Sequence, residues 1–134
     1  EQAKFKPNNI TENHRFGEHV SLSENGDRLI VGCPSAFASG GWPNAQYTVP
    51  GSAHIFTRSG TTWTETQLIT APGSVENGSH FGRSVSMSGS GEYASVGANK
   101  LKIEVPASEY GPGQSGVRDK SGAAFIISAL GPAI

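Results

Sequence analysis

Phe16-Gly17-Glu18-His19-Val20-Ser21-Leu22-Ser23 returns later in the chain as Phe81-Gly82-Arg83-Ser84-Val85-Ser86-Met87-Ser88. The echo extends outward in a single ungapped register, with Gln2, Pro7, Gly26, Val31 and Gly32 recurring as Gln67, Pro72, Gly91, Val96 and Gly97. A fixed period of this size marks stacked supersecondary units, neither of which buries its own apolar face alone. The 134-residue chain therefore reads as two small, similar units.

Within each unit the hydrophobic period is two, and no stretch carries an apolar stripe at helical spacing. Val20 and Leu22 alternate with Ser21 and Ser23, and Glu24-Asn25-Gly26-Asp27 then turns the chain into Arg28-Leu29-Ile30-Val31-Gly32. Asn-Gly between two such runs is a hairpin signal, because both positions tolerate positive φ. Ser88-Gly89-Ser90-Gly91-Glu92, leading into Tyr93-Ala94-Ser95-Val96-Gly97, repeats the arrangement.

A third strand is expected at residues 53–58 and 124–128. A fourth, at 63–69, is reached through the tight turn Ser59-Gly60. The class is all-β, and four short antiparallel strands per unit is how a β-propeller blade is built. Residues 2–7 align with 67–72, so the chain is expected to open with a blade's fourth, outer strand and to end with a third. This gives two permuted four-stranded blades. The first repeat is 1–65, with its outer strand at 2–7 and strands one to three within 16–58. The second is 66–134, with its outer strand at 63–69 and strands one to three within 81–128.

These motifs resemble the FG-GAP repeats of integrin α-subunit-type β-propellers, in the version found in secreted bacterial and algal proteins. The resemblance is carried by Phe16-Gly17, Val31-Gly32-Cys33-Pro34, Gly51-Ser52-Ala53-His54-Ile55-Phe56 and Trp63. It continues in Phe81-Gly82, Val96-Gly97-Ala98-Asn99 and Gly122-Ala123-Ala124-Phe125-Ile126-Ile127. It implies a propeller fold and an extracellular structural, adhesive or assembly role. Calcium-binding members carry a loop rich in Asp and Asn between strands one and two, since a hard cation needs clustered oxygens. The loops here, 24–27 and 89–92, lack enough carboxylates, so calcium is not carried over and no cofactor is expected.

Composition narrows the function further. With 10 basic and 11 acidic residues, the chain has no electrostatic footprint for nucleic acid or an anionic membrane. No apolar run is long enough to span a bilayer. The opening at Glu1, without Met, reads as a processed or excised piece. Asn9-Ile10-Thr11 and Asn77-Gly78-Ser79 are N-glycosylation sequons, both just ahead of the Phe-Gly motif, and they point to a secreted or cell-surface glycoprotein. Cys33 is the only cysteine and reads as a small buried filler.

The four histidines, at 14, 19, 54 and 80, lack the spacing of zinc ligands. Gly111-Pro112-Gly113-Gln114-Ser115-Gly116 matches a dinucleotide fingerprint in letters only, because a strand and not a helix is expected after it. No catalytic constellation is evident. The loops 33–50 and 98–121 differ between the repeats and carry Trp42, Tyr47 and Tyr110, aromatic candidates for contacting a sugar ring or a protein partner. Residues 101–105 alternate strictly and predict an extra strand.

Two blades do not close a ring, so the expected partners are further copies of the chain, in a closed oligomer or a filament, or the rest of a longer propeller. The leading reading is a non-catalytic extracellular module that binds itself, extracellular proteins or glycans. The alternatives are a carbohydrate-binding lectin and, behind it, a glycosidase-type enzyme.

Overall fold

Alternating side chains and turn-forming residues build nearly the same meander twice. The structure, a computed structural model, describes residues 3–8, 15–34, 51–71, 78–104, 117–118 and 122–129. Its strands are β1 (Val20–Leu22), β2 (Arg28–Cys33), β3 (Ser52–Ser59), β4 (Thr62–Thr70), β5 (Phe81–Met87), β6 (Tyr93–Ala98), β7 (Ile103–Glu104), β8 (Val117–Arg118) and β9 (Ala123–Ser128). They form a four-stranded sheet β1-β2-β3-β4, a three-stranded sheet β5-β6-β9 and a two-stranded ribbon β7-β8. Every pairing between these strands is antiparallel, and there is no helix among the described residues. The all-β class is as expected. The extra strand expected at 101–105 is β7, which pairs with β8.

The backbone repeats as closely as the letters do. Arg15 and His80 occupy the left-handed region at φ 55° and 58°, Gly17 and Gly82 lie at 91° and 89°, and Gly26 and Gly91 at 71° and 74°. Glycine is required in the last pair because the turn needs positive φ without a Cβ. The same turn is closed by Gly26 N–H donating to the Ser23 carbonyl and Gly91 N–H to the Ser88 carbonyl, each at 2.9 Å. Ser23 and Ser88 hydroxyls accept from the backbone N–H of Arg28 and Tyr93 at 3.0 and 3.1 Å. Arg58 N–H to Asp27 and Ala129 N–H to Glu92, both 2.8 Å, tie the third strand of each sheet to its first turn. Side chains as different as Arg28 and Tyr93 therefore sit on one backbone plan.

Two departures from the sequence expectation concern the outer strands. β4 pairs along its length with β3, so the sequence boundary at 65/66 falls inside a strand of the first sheet. Residues 3–7, expected as an outer strand, form no strand. Pro7 has no N–H to give a ladder, and β4 already occupies the outer edge of the first sheet. Phe5 instead packs its ring against Phe56 at a tilt of 59° (5.0 Å between centroids) and edge-on to Trp63 (5.2 Å).

The two sheets pack face to face. The core between them contains Ile30, Ala53, Ile55 and Ile69 from the first sheet, and Phe81, Val85, Met87, Ala94, Val96 and Ala98 from the second. Full burial of side chains such as Ile30, Ile55 and Phe81 contributes about 1.5–3 kcal/mol each. This is what makes two thin sheets one folded body.

Candidate functional site

The sheet junction is the most elaborated feature of the molecule, and glycine makes it possible. A methyl on Gly32 would stand well inside 3.0 Å of the Gly82 carbonyl oxygen, and one on Gly82 would collide likewise with the Ser52 carbonyl oxygen. Gly51 forms a lone parallel bridge with Phe81. Backbone polar groups and side chains then cross the seam. Met87 N–H donates to the Ser21 hydroxyl (2.9 Å) and Glu24 N–H to the Gly89 carbonyl (2.9 Å). The Arg28 guanidinium donates to the carbonyls of Gly91 (2.8 Å) and Ala129 (3.3 Å), and Arg83 pairs with Glu18.

Two of these links join the same repeat position in the two sheets: Glu18 meets Arg83, and Glu24 meets Gly89. The sheets nonetheless stack head to tail, because each buries a different face against the other. On β1, Ser21 points into the junction while Val20 and Leu22 point away, 58% and 54% exposed. Their counterparts Val85 and Met87, at 9% and 8%, are the side chains that the second sheet buries against the first. In the other direction, Ile55 is fully buried in the junction and its counterpart Ile126 is 74% exposed. Each sheet thus has one face of each kind, and one of each is left open. Beside Val20 and Leu22, a shallow cleft of about 530 Å³ is lined by Ala3, Phe5, Leu29 and Trp63.

A polar relay lies on the first sheet's outer face. The Ser52 hydroxyl and His54 Nε2 are 3.0 Å apart, and His54 Nδ1 and Glu65 Oε1 are 2.7 Å apart. Glu65 Oε2 accepts the backbone N–H of Asn8 at 3.0 Å. Ser52 and His54 share a face because they are two apart on a strand. Glu65 joins them through a β-bulge: Ile55 pairs with Gln67 but Phe56 pairs with Glu65, which leaves Thr66 extra and turns Glu65 to the opposite face from Gln67.

The chemical order Ser-His-carboxylate is that of a nucleophilic relay. The imidazole has no exposed surface and lies under the edge of the Phe16 ring at 5.3 Å. The relay clamps β3, β4 and the segment 3–8 together. At the equivalent place in the second sheet the pair is Phe81 on Phe125, with centroids 5.4 Å apart. In the sequence His54 aligns with Phe125, which predicts no more than an ordinary strand residue. The bulge that recruits Glu65 has no local signal beyond a polar run.

Cys33 is buried beside Ser52. Burial pushes its thiol up to about 11, against a smaller opposing effect of a hydrogen bond with Ser52, so it is an inert packing group at neutral pH. His80 is also buried. Its pKa is lowered by burial first and then by the cations Lys100, Arg83 and Arg15, with Glu18 opposing. Asn25, in the loop compared above with a calcium loop, spends its Oδ1 on the Ser23 hydroxyl and Asp27 N–H. Asp27 itself accepts from Arg58 at 2.8 Å.

The sequon asparagines Asn9 and Asn77, and the loop aromatics Trp42, Tyr47 and Tyr110, lie outside the described residues. Of the second sequon, Ser79 is described: it is buried, and its hydroxyl accepts from Phe81 N–H. No protein-family model, curated protein or solved structure matches the chain.

Proposed function

We propose that the chain is a non-catalytic extracellular module of the FG-GAP β-propeller type, its two sheets being neighbouring blades, with a structural, adhesive or assembly role. The observation that carries this reading is the head-to-tail junction between two sheets of the same backbone plan. It leaves the Val20–Leu22 face open at one end and the Ile126 face open at the other. An interface of that kind propagates until it closes on itself, and propellers close with about 4–8 blades.

The partners are further copies of the chain or other segments of a longer propeller. Glycans or extracellular proteins engage the variable loops that carry Trp42, Tyr47 and Tyr110. Asn9 and Asn77 carry the N-glycans of a secreted or cell-surface protein.

Light scattering combined with negative-stain imaging of the native particle tests the assembly role. A ring or fibre of several chains is expected, and a monomer at every concentration would sink the reading. A glycan array read against Trp42→Ala and Tyr47→Ala separates lectin from adhesive module: glycan binding lost with assembly intact would establish the lectin.

A further inference from the structure

We propose that the open face of the β5-β6-β9 sheet binds the open Val20–Leu22 face of a second copy of this chain, in the geometry of the junction between its own two sheets. The proposal rests on the assembly reading above and adds the surfaces, their polarity and the contacts. The junction inside the chain serves as a template, since both open faces have counterparts already buried there.

On one side of the template stand Ser21, Ile30, Gly32, Ala53 and Ile55. Their counterparts on the open face are Ser86, Ser95, Gly97, Ala124 and Ile126. Four of these five are identical, the exception being Ser95 in place of the buried Ile30, and none introduces a charge. Gly97 preserves the position at which the backbones come closest. Ser86 preserves the hydroxyl that receives a backbone N–H, with Leu22 of the second copy standing where Met87 stands in the template. On the other side, Val85, Met87 and Ala94 are replaced by Val20, Leu22 and Leu29, an apolar set in which Leu29 is larger than Ala94 where Ser95 is smaller than Ile30, and Val96 corresponds to Val31, which is already buried. Ile126, the most exposed large hydrophobic side chain among the described residues, becomes the counterpart of fully buried Ile55.

The charges agree with this stacking. Glu18 and Arg83 occupy one repeat position with opposite signs, and they pair across the intrachain junction. At the next junction Arg83 of one copy faces Glu18 of the second, so acid and base alternate along the stack and each is shared between two junctions. Tyr93 is half exposed and stands in place of Arg28, so its hydroxyl replaces the guanidinium as donor toward the Gly26 turn of the second copy.

The experiment uses two variants of the 134-residue chain, Ile126→Glu and Leu22→Glu. Both positions are on the surface, so far-ultraviolet circular dichroism should be unchanged and loss of folding is separately visible. Each variant alone should weaken self-association about tenfold or more, because a carboxylate replaces a buried aliphatic group. Mixed together they should form a one-to-one dimer that grows no further, since each retains the face that the other has lost. If the unmodified chain assembles and both variants assemble equally well, this surface assignment is overturned while the assembly reading stands. Variants that stay monomeric when mixed would overturn the head-to-tail polarity. An unmodified chain that never associates would overturn the proposal and the reading together.

Discussion

Gly32 and Gly97 occupy the same repeat position, and neither has positive φ, so replacing each by alanine isolates the effect of the sheet junction. The methyl on Gly32 meets backbone on the facing sheet, with the Gly82 carbonyl oxygen inside contact distance, Gly82 C at 3.3 Å and Val85 Cγ1 at 3.4 Å. None of these atoms moves without separating the sheets. The methyl on Gly97 meets the Ser84 hydroxyl, the end of a one-torsion side chain on an exposed residue, with its Cβ at a comfortable 3.6 Å. Both substitutions restrict the unfolded chain, which favours folding by about 0.4–1 kcal/mol.

Against that common gain, overpacking at Gly32 costs about 1–3 kcal/mol, whereas rotating Ser84 costs only a few tenths. The expected difference is about 2 kcal/mol in the urea unfolding free energy, roughly a thirtyfold change in the folding equilibrium. In melting temperature it is about 6–10 °C for a chain of this size. Both variants must be measured dilute enough to be monomeric. Equal stability of Gly32→Ala and Gly97→Ala, within about 0.5 kcal/mol, would refute the claim that glycine sets the approach of the sheets. At assembling concentrations the ranking should change, since Gly97→Ala then obstructs the contact with the second copy.

Three further outcomes are expected. His54→Phe, which installs the residue found at Phe125, should destabilise by about 2–4 kcal/mol in urea unfolding because it strands the carboxylate of Glu65; adding Glu65→Gln should recover part of the loss, and no recovery would refute the clamp. The Cys33 thiol should resist an aromatic disulfide reagent at neutral pH and react stoichiometrically once unfolded; fast reaction in the folded protein would show that it is not held as a buried thiol. For His80, burial and neighbouring cations depress the folded pKa below the unfolded value of about 6.5. The unfolded state therefore binds the proton more readily, so stability is fully present above about pH 6.5 and is lost as pH falls through the lower, folded value. His80→Asn, which tolerates the left-handed φ, should flatten the melting-temperature profile on the acid side; a profile unchanged by the substitution would assign the acid sensitivity elsewhere.

Strand order, turn positions and the backbone plan shared by the two sheets were legible in the chain because they rest on local rules. Alternation places Val20 and Leu22 on one face and Ser21 on the other. Positive φ demands glycine at 26 and 91, and the echo of Phe16-Gly17 in Phe81-Gly82 announces a shared backbone plan. The relay was not legible, since the Glu65 side chain reaches the His54 face only because Thr66 bulges out of the ladder. The fate of residues 3–7 was also not legible: they align with part of a real strand, yet the edge they would need is filled by β4.

By itself the sequence determined which residues alternate, where the chain turns and that the same unit is built twice, because these depend on backbone torsions and near neighbours. Only the tertiary structure decided which face of each unit is buried. Val20 and Val85 read alike, and one is exposed while the other is covered, because sheets stacked head to tail bury one face of each kind and leave the other two open.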